Sequence, residues 1–237
     1  MISEPGEFIT VQDAFEKAGI IKDKIPVVIG ETQKETKPVF QKISKERKAA
    51  IYYADTSEHK LYESELKGSY QKHNIKTVVA TISELKKKGY KITEGNIIDG
   101  LSNVIKNTGL QGRWQVLQVQ PKVVADTAHN KEGLTYTMNQ IKTEPYDKLH
   151  LVLGFVNDKN LDTIIDLFPM EAHYYLCKPN VQRGLDTDVL KKYFVSKNYK
   201  VEAYNSVTEA FEMAKKMASS NDFIYVGGST FVVAEII

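Results

Sequence analysis

From about residue 110 onward, short apolar runs alternate with amphipathic stretches. Trp114 to Val119, Lys122 to Asp126, Leu149 to Phe155, Ala172 to Cys177, Lys200 to Ala203 and Asp222 to Val226 are bounded by turn-forming residues and predict strands. Between them, Lys131 to Lys142, Leu161 to Leu167, Asp186 to Ser196 and Ser206 to Ser219 predict helices. The last of these carries alanines small enough to pack closely on a sheet. Strands covered on both faces read as short apolar runs, so this alternation predicts an α/β domain: a Rossmann-like, mostly parallel sheet with right-handed crossovers.

The preceding portion follows a different rhythm. Thr10 to Ala18 predicts a short helix stopped by Gly19, and Ile25 to Ile29 and Ala49 to Ala54 predict strands. Tyr70 to Lys88 predicts a helix ended by Gly89, and Thr93 to Lys106 another with Thr93 as its N-cap. Met1 to Phe8, with Pro5 and Gly6, show no period that would bury a face. The punctuation Asn107-Thr108-Gly109-Leu110-Gln111-Gly112 marks the expected boundary between a mainly helical region, 1–109, and the α/β region, 110–237.

Composition narrows the function classes. With 32 basic and 30 acidic side chains the net charge is +2, which gives no sequence-wide attraction for nucleic acid or anionic lipid. Lysine clusters such as Lys86-Lys87-Lys88 read as solvated helix faces. No apolar run is long enough to span a bilayer. Cys177 is the single cysteine, so the chain can form no internal disulfide or multi-cysteine metal site, in keeping with a reducing cytoplasm. A monomer acting on small molecules is expected.

Candidate chemistry concentrates at Asp126-Thr127-Ala128-His129-Asn130, which follows a predicted strand and precedes a predicted helix. In open α/β sheets ligands bind beyond the carboxyl ends of the strands, and the first amides of the next helix favour anions, so phosphate is the expected ligand. Gly227-Gly228-Ser229-Thr230 follows another strand, where paired glycines permit a tight turn or the close approach of a ligand. His59, His73, His150 and His173 lack comparable company and are assigned core or surface roles. Cys177 reads as a small buried hydrophobe, and Trp114 as a core anchor rather than a base-stacking platform. The chain contains neither G-x-x-x-x-G-K-[ST] nor, after the first strand of the α/β region, G-x-G-x-x-G. The second absence argues against a dinucleotide-binding oxidoreductase.

Several motifs occur in one order: Glu16-Lys17-Ala18-Gly19-Ile20, Ile25-Pro26-Val27-Val28-Ile29-Gly30-Glu31, Gly68-x-Tyr70-Gln71-x-x-Asn74, Thr108-Gly109-Leu110-x-Gly112-Arg113-Trp114, Asp126-x-Ala128-His129-Asn130, Asp158-Lys159 and Gly228-Ser229-Thr230-Phe231. Together they resemble folylpolyglutamate synthase / dihydrofolate synthase of the Mur ligase superfamily, from about Ala14 to the end. The resemblance implies an ATP-dependent amide ligase in which a folate or dihydropteroate carboxylate is phosphorylated and the amine of L-glutamate attacks the acyl phosphate. It implies ATP and Mg2+ as cofactors, and ATP lodged between a P-loop domain and the Rossmann-like domain. By that resemblance, Asn74 contacts adenine, Arg113 reaches the nucleotide, Asp126 lies near the ribose and His129, beside Asn130, near the phosphates. Lys17 matches the lysine that is carbamylated in this superfamily and then serves a magnesium ion. Asp158, Lys159 and Ser229 are expected on the glutamate-binding rim.

The departures carry expectations too. The family's P-loop and folate-binding region precede the position of Glu16, and Asp13 stands where an apolar residue is usual. The chain is therefore expected to be the C-terminal part of such a ligase, inactive alone, with Thr108 to Gly112 as a hinge. The alternative is a non-catalytic nucleotide- or ligand-binding module derived from the ligase C-terminal domain.

Overall fold

A computed structural model describes residues 11–56, 58 and 60–237. Thr10, where the first helix was expected to begin, and His59 lie outside these residues. The chain divides into two compact units. One comprises residues 1–65 and 70–108, the other Leu66–Ser69 and Gly109–Ile237.

In the first unit, α1 (Val11–Ala18), α2 (Lys37–Glu46), α3 (Gln71–Lys87), α4 (Glu94–Ser102) and α5 (Val104–Thr108) accompany β1 (Val27–Ile29) and β2 (Ile51–Tyr53). The two strands pair in parallel, Val28 opposite Tyr52. Ala14, Ala18 and Ile21 pack with Val39, Phe40 and Ala49 into a small core. Helix α2 is absent from the sequence expectation. Pro38 sits in its first turn, where a missing N–H costs nothing, and Val39, Phe40 and Ile43 supply its apolar stripe among charged neighbours. Thr93 caps α4 through a reciprocal box with Asn96. The single helix expected over Thr93 to Lys106 is interrupted at Asn103 (φ −127°, ψ 37°), whose amide turns back to bond the main-chain and side-chain oxygens of Asp99.

The second unit is built on six strands: β3 (Gln115–Gln118), β4 (Lys122–Ala125), β5 (Leu149–Leu153), β6 (His173–Leu176), β7 (Val201–Ala203) and β8 (Phe223–Gly227). Their spatial order is β3-β4-β8-β5-β6-β7, with only β3 antiparallel. The mostly parallel α/β sheet expected from the apolar runs is what the chain forms. Trp114 stays outside β3 because its φ of 51° is left-handed, incompatible with an extended strand. The exposed edge β3 alternates burial, whereas the central β5 and β8 are buried throughout.

Alternation along the central strands feeds two cores. Leu151, Leu153, Phe223 and Tyr225 join Leu134 and Met138 of α6 (Lys131–Ile141) and Leu190 and Phe194 of α7 (Thr187–Ser196). Val152, Ile224 and Val226 face Ala210 and Ala214 of α8 (Val207–Met217) and Val232 of α9 (Thr230–Ala234). Each fully buried aliphatic side chain contributes about 1.5–3 kcal/mol. The helix expected over Leu161 to Leu167 forms instead as two 3-10 turns, Leu161–Thr163 and Ile165–Leu167. Ile164, at φ −123°, breaks the spiral so that Ile164, Ile165 and Phe168 can all enter the core.

The chain leaves β4 through α6, crosses to β5, continues outward to β7, and returns over the other face through α8 to insert β8 between β4 and β5. That reversal is the topological switch point, and the crevice rule places a ligand beyond the carboxyl ends of β4, β8 and β5.

Candidate functional site

Three loops meet at that rim. Gly154 N–H bonds the carbonyl of Gly227 (3.4 Å), and Thr127 N–H bonds that of Gly112 (2.9 Å). Gly228 needs its missing Cβ: its φ is 83°, and a methyl group there would lie 2.9 Å from the carbonyl oxygen of Gly154. Gly112, at φ 70°, is constrained likewise, since a Cβ would come within 2.7 Å of Thr127 Cγ2.

Asp126 organises the first loop. It is 1% exposed, and its two carboxylate oxygens accept the N–H of Trp114 (2.7 Å) and of Ala128 (2.8 Å). These charge-assisted bonds hold the left-handed turn at Trp114 and so fix the root of Arg113. The Arg113 guanidinium in turn donates to the hydroxyl of Thr127. His129 Nδ1 donates to the carbonyl of Thr127 (3.0 Å), because a carbonyl can only accept. In the neutral ring Nε2 then carries the lone pair. Asn130 Oδ1 accepts from Gly133 N–H (2.8 Å), capping α6. Arg113 and His129 thus both bond one residue, Thr127, which lies between Asp126 and the Asn130 cap along the chain and which sequence reasoning passed over as a variable position inside the motif.

The remaining expected residues divide by unit. Ser229 is buried and caps α9, its hydroxyl accepting from Phe231 N–H (3.2 Å). Asp158 and Lys159 lie on the loop after β5. Asp158 is exposed and faces Arg183 of the loop after β6 at 3.5 Å. Asn74 and Lys17 belong to the first unit. Asn74 stands in the first turn of α3 and donates to Gln71 Oε1 (2.9 Å); Lys17 is half-buried in the last turn of α1.

The residues assigned bland roles are distributed accordingly. Trp114 is buried against Phe223, ring centroids 6.3 Å apart. Cys177 is fully buried, and burial, aided by the Glu235 charge, pushes its thiol far above the range in which it would ionise. His150 is sealed between the Tyr175 hydroxyl (2.9 Å) and Asp222 (3.3 Å), at the end of the sheet opposite the rim. His173, exposed, stacks on it, and His73 sits on α3, where burial lowers its pKa. Among the described residues no helix is long and apolar enough to cross a membrane.

Comparison with known proteins bears on the same segment. A probable bifunctional folylpolyglutamate synthase/dihydropteroate synthase of Haloferax volcanii is 33% identical over 55% of this chain and 16% of its own length. The dihydrofolate synthase/folylpolyglutamate synthase of Escherichia coli is 24% identical over 93% of this chain and 53% of its own length. The fold is shared with a solved bifunctional folylpolyglutamate synthase/dihydrofolate synthase from Yersinia pestis complexed with AMPPNP and Mn ion, at a TM-score of 0.76 and 21% identity, covering 95% of this chain and 55% of that one. The chain spans about half the length of the relatives it matches end to end. Residues 112–230, from the Gly112 turn through the Ser229 cap, match the family described as Mur ligase, glutamate ligase domain, and the chain belongs to that family.

Proposed function

We propose that this chain contributes the nucleotide- and glutamate-handling rim of an ATP-dependent ligase that joins L-glutamate to folate or dihydropteroate. What carries this reading is the constellation around Thr127, positioned at the switch point within the segment that matches a glutamate ligase domain. In such chemistry ATP supplies the phosphoryl group that activates a carboxylate for attack by the amine.

The chain's own residues take these parts. Arg113, already oriented by Thr127, offers a planar cation to phosphate oxygens. His129 presents Nε2 to the same anion, and Asn130 spends its side-chain oxygen shaping the start of α6, whose first amides favour negative charge. The resemblance puts Asp126 beside the ribose. Its saturated, buried carboxylate supports a different emphasis: it holds Arg113 and Ala128 in place. Asn74 is the proposed adenine contact. Lys17 serves a metal only once carbamylated, which turns a cation into an oxygen ligand that Mg2+ accepts. Among the described residues no three His, Cys, Asp or Glu come together to hold a metal ion. Asp158, Lys159 and Ser229 remain the proposed glutamate rim. With no G-x-x-x-x-G-K-[ST] among its residues, the chain by itself is expected to bind rather than to ligate.

ADP titrated into the isotopically labelled chain, followed by amide NMR, tests this. Shifts should centre on Gly112 to Lys131, and R113Q should weaken them about tenfold, as expected for loss of a charge-assisted contact. Saturating ADP with no shift in this segment would overturn the reading.

A further inference from the structure

The chain passes between its two units at 65/66, 69/70 and 108/109, because Leu66–Ser69 belong to the second unit while the sequence on both sides of them belongs to the first. What holds this short strap on the second unit is Gln140, in the last turn of α6. Its side-chain oxygen accepts the N–H of Ser69 (2.6 Å), and its side-chain N–H donates to the carbonyl of Lys67 (3.0 Å). A primary amide carries an acceptor and a donor in one plane, so it takes the two main-chain groups that flank Gly68 much as a neighbouring strand would. Gly68 is buried beneath this clasp. Met138 and Ile141, beside Gln140 on α6, are buried in the core and fix the helix from which it reaches. Gln140 stands 71 and 73 residues along the chain from its two partners, so no local turn brings them together.

Both ends of the strap are fastened within the first unit. Upstream, Glu65 N–H donates to the Leu101 carbonyl (2.9 Å), and the Glu65 carboxylate accepts the N–H of Ile105 (2.8 Å) in α5. Helix α5 ends at Thr108, where the last passage between the units begins. Downstream, Tyr70 is buried and stands as the N-cap residue of α3. Glu65 is two residues from Lys67 and Tyr70 one from Ser69, so at about 3.5 Å per residue the closed clasp leaves either anchor less than about 10 Å of chain. A single linker at 108–112 permits a wide swing; a second tether that short does not.

We propose that this strap is a latch: with Gln140 engaged, Thr108 to Gly112 is restrained as a hinge, and departure of Lys67 and Ser69 from α6 releases it. Helix α6 then has work at both ends, with Asn130 capping it at the rim and Gln140 holding the strap at the other. The latch involves no ligand and holds whether or not the nucleotide reading does.

Hydrogen exchange, 15N relaxation and limited proteolysis on the full 237-residue chain test it. Ser69 N–H should exchange slowly in the wild type and about tenfold faster in Q140A. The same variant should be cleaved several-fold faster within residues 108–111, and the tumbling times of the two units should separate more than in wild type. Q140E, which keeps the acceptor for Ser69 but loses the donor to Lys67, should fall between. N139A, at the exposed neighbour on α6, should change nothing. An unchanged urea midpoint by Trp114 fluorescence shows that Q140A has not loosened the second unit as a whole. Faster cleavage or separated tumbling in Q140A supports the latch. If Ser69 exchanges in wild type as fast as an exposed amide, or if Q140A speeds that exchange yet leaves both cleavage and tumbling as in wild type, the latch is wrong, and ADP shifts at Gly112 to Lys131 still decide the nucleotide reading separately.

Discussion

The second unit pairs an aspartate with a histidine at both ends of its sheet, and the two arrangements behave differently. At the carboxyl end, Asp126 is saturated by backbone amides and His129 is anchored through one nitrogen only, half-exposed beside Arg113. At the opposite end, His150 uses both nitrogens, on Tyr175 and Asp222, and Asp222 also accepts from Lys148 N–H (3.1 Å) and Ser219 N–H (2.8 Å). Every polar valence there is spent on the fold. Residue type alone does not separate a histidine with a nitrogen to spare from one spent wholly on the fold; their hydrogen bonds do.

The comparison breaks most visibly at Asp126. D126A strands two buried N–H groups and frees the left-handed turn, and should cost about 3–5 kcal/mol. Trp114 is the only tryptophan and is buried in this unit, so its fluorescence during urea unfolding reports that loss directly. At the other end, H150Q should cost about 1–3 kcal/mol by leaving Tyr175 or Asp222 incompletely paired.

The same variant tests a pH dependence. Burial lowers the pKa of His150 against the opposing pull of Asp222, with His173 and Lys148 also disfavouring its charge. The unfolded chain therefore takes up a proton that the folded one refuses, so stability is full above the ordinary histidine range and falls as pH drops through it. Asp222, held below the usual carboxylate range by its hydrogen bonds despite desolvation, adds a second loss at lower pH. Urea unfolding of wild type should weaken between pH 7 and 5 more steeply than that of H150Q. Parallel pH profiles would show that His150 is not the sealed group described.

His129 should invert this pattern. H129A is expected to leave unfolding within about 0.5 kcal/mol of wild type while weakening ADP about tenfold. A large stability loss with unchanged ADP binding would make the two ends of the sheet alike. The smallest effect needs no substitution. Gly109, Leu110 and Gln111 are exposed, whereas Gly112 is buried, its N–H donating to Gln115 and its carbonyl accepting from Thr127. Limited proteolysis should cut first within residues 108–111, and a chain resistant there would argue against a hinge.

Much of this was visible in the sequence wherever periodicity and local chemistry agree. The all-buried runs of β5 and β8, the Thr93 cap and the strand exit at Asp126 are local patterns that survive folding. Helix α2 was missed because charged residues dilute its stripe, and Leu161 to Leu167 was mistaken for a helix because a short apolar segment fits more than one spiral. The Gln140 clasp was invisible, since nothing near it in sequence reveals Lys67 or Ser69.

The chain's own order of residues determined the parallel α/β layering, the apolar faces and the turn at which acid, imidazole and amide coincide, because each depends on neighbours a few positions apart. Only the tertiary structure decided which polar groups stay available. It buried both oxygens of Asp126, joined Arg113 and His129 to Thr127, enclosed His150 and left one nitrogen of His129 at the rim. Availability is what remains after distant segments have satisfied one another's hydrogen bonds, and that is settled by packing across the sheet.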